Sequence, residues 1–150
     1  MTLVANPDVT GKHLWLMKSE PDAYSFDDLV AEGEGTWDGV RNHLAARNLR
    51  AMRAGDLALF YHSNIGKAVV AVAQISVAGL TDPTDPDGKW AAVRVRPVAR
   101  LAQPVTLATI KATPALAAMD MLRLSRLSVS AVRPDEWALI LALGGGLVGI

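Results

Sequence analysis

The segment DLALFYHSNIGKAVVAVAQISV, residues 56–77, contains two apolar runs on either side of a short polar turn. The first run, Asp56–His62, has the length of a β-strand. The second run, Ala68–Val77, is rich in β-branched residues and has few polar ones, which is typical of a strand buried on both faces. We therefore predict two consecutive strands joined by a turn.

Further strands are predicted on both sides of this pair. Leu14–Met17 is short and apolar and predicts a first strand, and Leu127–Val132 predicts a last one. Trp90–Val98 alternates between two faces, after a turn region dense in Asp, Pro and Gly at residues 81–88. Strands that follow one another through turns, with helices around them, predict an α+β fold. Its centre is expected to be a small, mostly antiparallel β-barrel with short peripheral helices.

Helix starts are marked by residues that cap them. Ser25 opens a capping box for a first helix, and Asn42 predicts the N-cap of a second. Thr106 and Thr113 each predict the N-cap of a later short helix. Pro134–Leu143 is predicted to form a closing helix, with Trp137, Ile140 and Leu141 facing inward.

The chain is expected to form one domain over residues 14–143. Residues 1–13 are predicted to be an N-terminal arm and residues 144–150 a weakly structured C-terminal tail, and Gly35–Val40 is predicted to be a loop. The arm is polar, unlike a signal peptide, and no apolar run approaches the ~20 residues needed to span a bilayer. These features predict a cytoplasmic protein with no membrane partner.

Composition excludes several classes of protein. The chain has 150 residues, of which 51% are hydrophobic, and this excludes disorder throughout and suits a single domain. It contains no cysteine, which excludes disulfides, thiol chemistry and cysteine-ligated metals. His13, His43 and His62 are scattered along the chain and do not predict a metal site. We expect neither a metal nor another cofactor.

The charges are segregated along the chain although the formal net charge is zero. Residues 1–38 carry two lysines against eight acidic residues, whereas residues 39–133 carry thirteen basic residues against five acidic ones. Most of the cations are arginine, whose planar guanidinium matches phosphates and bases. We predict a positive surface around the mouth of a binding pocket, with phosphate contacts from Arg41, Arg47, Arg50 and Arg126.

Four polar clusters lie where predicted strands or helices begin or end, the positions at which functional residues concentrate. They are Lys18–Pro21, Trp37–Asn42, Tyr61–Asn64 and Ser125–Ser128, with Asn48 on the helix that follows the second cluster. Their shared position predicts that side chains far apart in sequence meet in one pocket.

The chemistry of these clusters suits a nucleobase. Trp37 and Trp90 are candidate stacking walls, and Trp37, in a predicted loop, is expected to be dispensable for folding. Trp15 and Trp137 lie in apolar periodic stretches and are predicted to belong to the core. Amide and hydroxyl groups can both donate and accept hydrogen bonds to base edges. The predicted base-binding pocket consists of Lys18, Ser19, Glu20, Trp37, Asn42, Asn48, His62, Ser63, Asn64, Trp90 and Ser128.

Several of these motifs occur together in one known family. In chain order they are WLMKSEP (15–21), YSFDDL (24–29), WDGVRN (37–42), ARNLRAMRAGDLALFYHSN (46–64), PVTL (104–107), SRLSV (125–129) and EW (136–137). This series resembles the EVE domain family over roughly residues 14–143. The resemblance implies a PUA-like fold and a reader of modified bases in nucleic acid, with modified cytosine in DNA as the expected ligand.

The chain departs from that family at one motif, and other functions remain open. The family often has a Tyr-Gln pair after WDGVRN, where this chain has His43 and Leu44, so a pocket contact from that glutamine is missing. An RNA-binding module is one alternative, since contacts to the 2′-hydroxyl decide between RNA and DNA. An enzyme that acts on a modified nucleotide through Lys18, Glu20 and His62 is another. The sequence contains no recognisable nucleophile–base–orienter series, and we therefore expect binding without catalysis.

Overall fold

Eight strands and five α-helices occur among residues 2–150, which the computed structural model describes. The strands are β1 (Leu3–Val4), β2 (Leu14–Ser19), β3 (Gly35–Trp37), β4 (Leu57–His62), β5 (Ala68–Thr81), β6 (Ala91–Thr106), β7 (Val129–Val132) and β8 (Leu147–Val148). The helices are α1 (Phe26–Glu32), α2 (His43–Ala51), α3 (Leu107–Ala112), α4 (Asp120–Arg123) and α5 (Pro134–Leu143), with a 3₁₀ turn at Pro114–Leu116. The predicted α+β class is confirmed.

The strands form one sheet in the order β1-β8-β6-β5-β4-β2-β7, and β3 pairs with β6 beside this path. Only the pairing of β2 with β4 is parallel among the described strands, so the sheet is mostly antiparallel, as predicted. The path has two ends, β1 and β7, which do not pair with each other among residues 2–150. The sheet is therefore not closed, and the predicted barrel is not confirmed.

Alternate residues of the central strands face two separate hydrophobic cores. In β2, Leu14 and Leu16 belong to one core, whereas Trp15 and Met17 belong to the other. β6 supplies the two cores from its two halves, with Val93 and Val95 in the core of Trp15 and Ala99 and Leu101 in the core of Leu14. The alternation continues in β4. It follows from the period of two of a β-strand, and it explains why the central segments are apolar at nearly every position.

Helices cover both faces of the sheet. On the face that contains Trp15, α1 and α2 pack through Phe26 and Leu49. On the opposite face, α3 and α5 pack through Ile110 and Ile140. None of the helices among residues 2–150 combines the length and the apolar character needed to cross a membrane.

The predicted N-caps are confirmed for three helices. The side chains of Ser25, Asn42 and Thr106 each accept a hydrogen bond from the backbone N–H three residues on, at 3.0, 2.9 and 3.2 Å. Thr113 is the N-cap residue of the 3₁₀ turn, as predicted, but its side chain makes no capping hydrogen bond. Pro134–Leu143 forms the predicted closing helix, with proline in its first turn.

Two segments predicted to be irregular take part in the sheet. The expectation of a weakly structured tail is wrong, because Leu147 and Val148 are buried and form β8 between β1 and β6. Gly35–Val40, predicted to be a loop, begins with the three residues of β3. β1 lies within the predicted N-terminal arm. Strands of two or three residues carry too little periodicity to be predicted from sequence.

The two tryptophans assigned to the core are buried, as predicted. Trp15 and Trp137 expose 4% and 3% of their surface. The indole nitrogen of Trp15 donates to the buried carboxylate of Asp56 at 3.0 Å, so its polar atom is satisfied inside the core.

Replacing Trp137 with alanine should lower the free energy of unfolding by about 3–5 kcal/mol, because the truncation leaves a cavity that the core fills only in part. Trp137→Phe retains most of the buried volume and should cost clearly less. Urea denaturation followed by circular dichroism measures both variants. An unchanged unfolding free energy in Trp137→Ala would contradict the packing of α5 against the sheet.

Candidate functional site

A cleft of about 850 Å³ lies beside the ends of β2, β3 and β7. Six residues predicted for the base-binding pocket line it, namely Lys18, Ser19, Glu20, Trp37, Asn42 and Ser128. The remaining lining residues are Ala23, Tyr24, Thr36, Asp38, Gly39, Val40 and Arg41. Residues from distant parts of the sequence therefore meet in one concave surface, which we call the first cleft.

Backbone pairing brings the first and fourth polar clusters together. The Lys18 amide donates to the Ser128 carbonyl at 2.8 Å, where β2 continues its pairing with β7. The Ser19 hydroxyl donates to the Tyr24 carbonyl at 2.5 Å and so fastens the turn that follows β2. These contacts place Glu20, which is exposed, at the rim of the first cleft.

The loop after β3 is fixed by a buried carboxylate, that of Asp82. This carboxylate accepts hydrogen bonds from the Gly39 amide at 2.7 Å, the Arg41 guanidinium at 2.8 Å and the Thr84 amide at 2.7 Å. Burial alone would raise the pKa of Asp82, but the hydrogen bonds from Arg41, Thr84 and Gly39 outweigh it and hold the pKa well below its usual range. The hydrogen bonds to Asp82 therefore fix the loop that places Asp38 and Asn42 at the cleft.

Trp37 is buried, although the sequence predicted it to lie in a loop. It exposes only 8% of its surface, and its ring packs edge-on against Phe60 at 5.5 Å between centroids. The expectation that Trp37 is a loop residue dispensable for folding is therefore wrong. Trp37 is the last residue of β3 and belongs to the core that contains Trp15. It still lines the first cleft, as part of the wall and without a free ring face for stacking.

Two exposed residues of the first cleft offer unpaired acceptors. Glu20 and Asp38 are exposed and their carboxylates make no hydrogen bond within the described chain. Arg41 also lines the cleft, but its charge is paired with Asp82. Ala23 and Val40 add apolar contacts at its wall. The cleft is thus suited to a flat ligand that presents hydrogen-bond donors at one edge and an apolar group elsewhere.

Two predicted pocket residues have structural roles instead. Asn48 donates from its amide to the Val129 carbonyl at 2.7 Å and so ties α2 to β7. His62 accepts the Phe26 amide hydrogen through Nε2 at 3.1 Å and so caps the first turn of α1. Neither residue is among those that line the first cleft, so the structure does not bring Asn48 and His62 together with the other predicted pocket residues. Asparagine is unfavourable inside a helix compared with alanine, and the hydrogen bond to Val129 explains why α2 contains Asn48.

Three further predicted residues lie outside the first cleft. Ser63 and Asn64 line a second, smaller cleft, which meets the first at Lys18. Trp90 lies at a separate hollow and stacks on His43, with 4.9 Å between ring centroids. The turn after β4 and the end of the β5–β6 hairpin therefore do not reach the first cleft, although the sequence predicted one shared pocket.

Only Arg41 of the four arginines predicted to contact phosphate lines the first cleft. Arg126 borders a smaller hollow that shares Asn42 with it. Arg50 donates to a backbone carbonyl at 2.9 Å, and Arg47 is exposed on α2. The phosphate contacts of these residues and the positive surface around the cleft stay predictions.

Two contributors to the site were missed by the sequence reasoning. Tyr24 lines the cleft because the turn after β2 folds back, and no local pattern indicates this. Asp82 lies in the Asp- and Pro-rich turn region, whose composition predicts a turn but not a partner for Arg41. Among residues 2–150 no group of three His, Cys, Asp or Glu side chains is placed to hold a metal ion.

The sequence matches the model of the EVE domain over residues 13–143. Thymocyte nuclear protein 1 of Mus musculus is 35% identical over 170 aligned residues, which cover 89% of this chain and 75% of that protein. The extent of the match corresponds to nearly all of the sheet and its helices.

Solved structures share this fold. An NMR structure of a protein from Rhodopseudomonas palustris has a TM-score of 0.85 and 47% sequence identity, and it covers 89% of this chain and 93% of that one. The crystal structure of human THYN1 protein in complex with 5-methylcytosine containing DNA has a TM-score of 0.83 and 29% identity, and it covers 89% and 98%.

The cap that His62 provides makes stability depend on pH. Burial lowers the pKa of His62 below its ordinary value of 6.5, with Asp27 raising it and Arg100 lowering it by smaller amounts. Because the neutral ring accepts the Phe26 amide hydrogen, this stabilisation is fully present above pH 6.5 and is lost as the pH falls through the folded-state pKa.

We expect the unfolding free energy to fall between about pH 7 and pH 5, and to fall less steeply in His62→Gln, whose amide oxygen can accept the same hydrogen bond without titrating. Denaturation curves at a series of pH values measure both slopes. At pH 8, where the wild-type ring is neutral, the two proteins should differ least. Parallel pH profiles for the two proteins would show that His62 does not carry this dependence.

Proposed function

Because the chain belongs to the EVE domain family, we propose that it is a nucleic-acid-binding module that holds one modified base of DNA in the first cleft. The observation that carries the proposal is the likeness to human THYN1 protein, whose structure contains 5-methylcytosine DNA. The residues that gather in the first cleft supply the polar groups that such a ligand needs.

A binding site for one base must repay the cost of removing that base from its stack. Unstacking and unpairing cost a few kcal/mol, and an unpaired polar group in the site adds about 1–3 kcal/mol. A cleft of about 850 Å³ has room for a whole nucleoside. The gain must come from polar contacts and from the cleft wall, since Trp37 is too deeply buried to offer a full stacking face.

The carboxylates of the first cleft favour cytosine among the bases. Cytosine presents an exocyclic N4 amine, and Asp and Glu are suited to accept a hydrogen bond from it. Glu20 and Asp38 are the two exposed carboxylates of the cleft. Thymine has a carbonyl at the same position and would meet these carboxylates with a repulsive acceptor.

A modification at carbon 5 of the base has an apolar counterpart in the cleft. Ala23 and Val40 line it together with the exposed part of Trp37. Burial of one methyl group contributes roughly 0.8 kcal/mol, which corresponds to about a fourfold preference. We propose 5-methylcytosine as the first ligand to test on this basis.

The proposed activity is binding and not turnover. His62, one of the three residues in the enzyme hypothesis, accepts a backbone hydrogen bond outside the first cleft, whereas Lys18 and Glu20 line that cleft. Incubation of modified oligonucleotides with the protein, followed by mass spectrometry, tests this point. Accumulation of a changed base or a cleaved strand would replace the binding proposal with the enzyme hypothesis.

We expect Glu20→Ala and Asp38→Ala to reduce the preference for cytosine-type bases. Each variant removes one acceptor for the N4 amine, and the ratio of affinities for 5-methylcytosine and thymine at one position should fall about tenfold. Fluorescence anisotropy with matched labelled oligonucleotides measures this ratio. Asp22→Ala removes an exposed carboxylate that does not line the cleft and serves as the matched control.

The ratio is the informative quantity, because loss of any negative charge also strengthens non-specific binding to DNA. An unchanged ratio in both variants would contradict the assignment of the carboxylates. The same titrations with RNA of the same sequence distinguish the RNA-binding alternative, which predicts tighter binding of RNA.

A further inference from the structure

The second cleft has a volume of about 260 Å³ and lies next to the first. Its lining combines an apolar floor, which includes Tyr61 and Met121, with the amino groups of Lys18, Lys67 and Lys111. No acidic residue lines it, in contrast to the first cleft, where Glu20 and Asp38 are exposed. The two clefts therefore differ in charge.

The concentration of lysine in the second cleft is high for this chain. Lys18, Lys67 and Lys111 are three of its five lysines, and they come from β2, the turn before β5, and α3. Like charges brought together repel each other, and neither Lys67 nor Lys111 has an acidic partner within the described chain. Such an arrangement is favourable when an anion occupies the space between the charges.

The lysines are held on connected parts of the backbone. The Leu107 amide donates to the Lys67 carbonyl at 2.8 Å, which joins the turn before β5 to the start of α3. Lys67 itself has a φ of 41°, a left-handed conformation that is uncommon for a residue with a side chain. The Lys18 ammonium donates to the Ser125 carbonyl at 3.0 Å. The backbone positions from which the three lysine side chains extend into the second cleft are thus fixed.

Lys18 lines both clefts and marks their common border. Its amino group lies 5.9 Å from the centroid of the Tyr61 ring. Burial lowers the pKa of Lys18 because the ammonium is partly removed from water. An anion in the second cleft would favour the charged form and offset this cost.

We propose that the second cleft binds the backbone phosphate that flanks the base held in the first cleft. The inference rests on the proposed function, because it assigns the phosphate of the same nucleic acid to this site. Lysine suits a phosphate oxygen as a mobile point charge, and three lysines surround one space that borders the first cleft. The apolar floor is available to the sugar attached to that phosphate.

The size of the second cleft supports a phosphate with part of its sugar. Pockets for drug-sized ligands span about 300–1,000 Å³, and the second cleft lies just below that range. An acidic peptide would also be attracted to the lysines. The border with the first cleft favours the nucleic acid, because one ligand can then occupy both spaces.

The test combines a protein variant with neutral phosphates in the ligand. Single-stranded oligonucleotides with one 5-methylcytosine carry a neutral methylphosphonate at one linkage at a time, on either side of that base. Binding is measured by fluorescence anisotropy for wild type, for the double variant Lys67→Ala/Lys111→Ala and for Lys89→Ala. Lys89 is an exposed lysine that lines neither cleft, and it controls for the loss of one charge.

We expect one neutral linkage next to the modified base to weaken wild-type binding about tenfold, and the double variant to lose a similar factor with the unmodified backbone. The double variant should respond to that same linkage clearly less than wild type, because only Lys18 remains to contact the phosphate. Its salt dependence, the slope of log K against log salt, should decrease by about 0.7, because one phosphate contact on a single strand is lost. The ratio of affinities for 5-methylcytosine and thymine should stay as in wild type.

The outcomes separate the two proposals. If wild type prefers the modified base and the double variant binds with unchanged affinity and salt slope, the phosphate site is wrong and the base-reading function stands. Equal sensitivity to the neutral linkage in wild type and double variant would also overturn it, as would binding of an acidic peptide with no effect on the oligonucleotide. If wild type binds no oligonucleotide, both proposals fail.

Discussion

The structure depends on a sheet whose two faces are both buried. Every central strand must supply apolar side chains to two cores at once, as Trp15 and Leu16 do from neighbouring positions of β2. Polar side chains are thereby excluded from the middle of the strands. They collect where β2 and β4 end, and Lys18, Ser63 and their neighbours line the two clefts there. The position of the site is thus a consequence of how the core is built.

A second constraint shapes the rim of the first cleft. The loop after β3 has no strand partner beyond Trp37, and the carboxylate of Asp82 takes that role through the Gly39 amide and Arg41. A buried carboxylate with this many donors is costly to disturb, because removing one partner leaves others unpaired. The main role of Arg41 is therefore structural, because its guanidinium pairs with the Asp82 carboxylate. This explains how a residue in a motif suited to phosphate contact can face the cleft with its charge already neutralised.

Local chemistry made part of this structure predictable. Ser25 and Asn42 cap their helices because a cap needs only a short side chain and an amide three residues on. The burial of Leu147 and the partner of Asp82 depend on contacts across the whole chain, and no short pattern encodes them. The same limit applies to the site: the sequence identified six residues of the first cleft, but it did not distinguish them from His62, whose imidazole accepts a backbone hydrogen bond inside the fold.

The separation of acidic and basic residues along the sequence corresponds to a difference in charge between the two clefts. Acidic residues are concentrated in residues 1–38, which contribute Glu20 and Asp38 to the first cleft, whereas Lys67 and Lys111 come from the basic part of the chain. A nucleotide is itself divided in this way, with amine donors on a cytosine at one end and an anionic phosphate at the other. A zero net charge limits non-specific attraction to nucleic acid. Two small fields of opposite sign, joined at Lys18, can then orient one nucleotide.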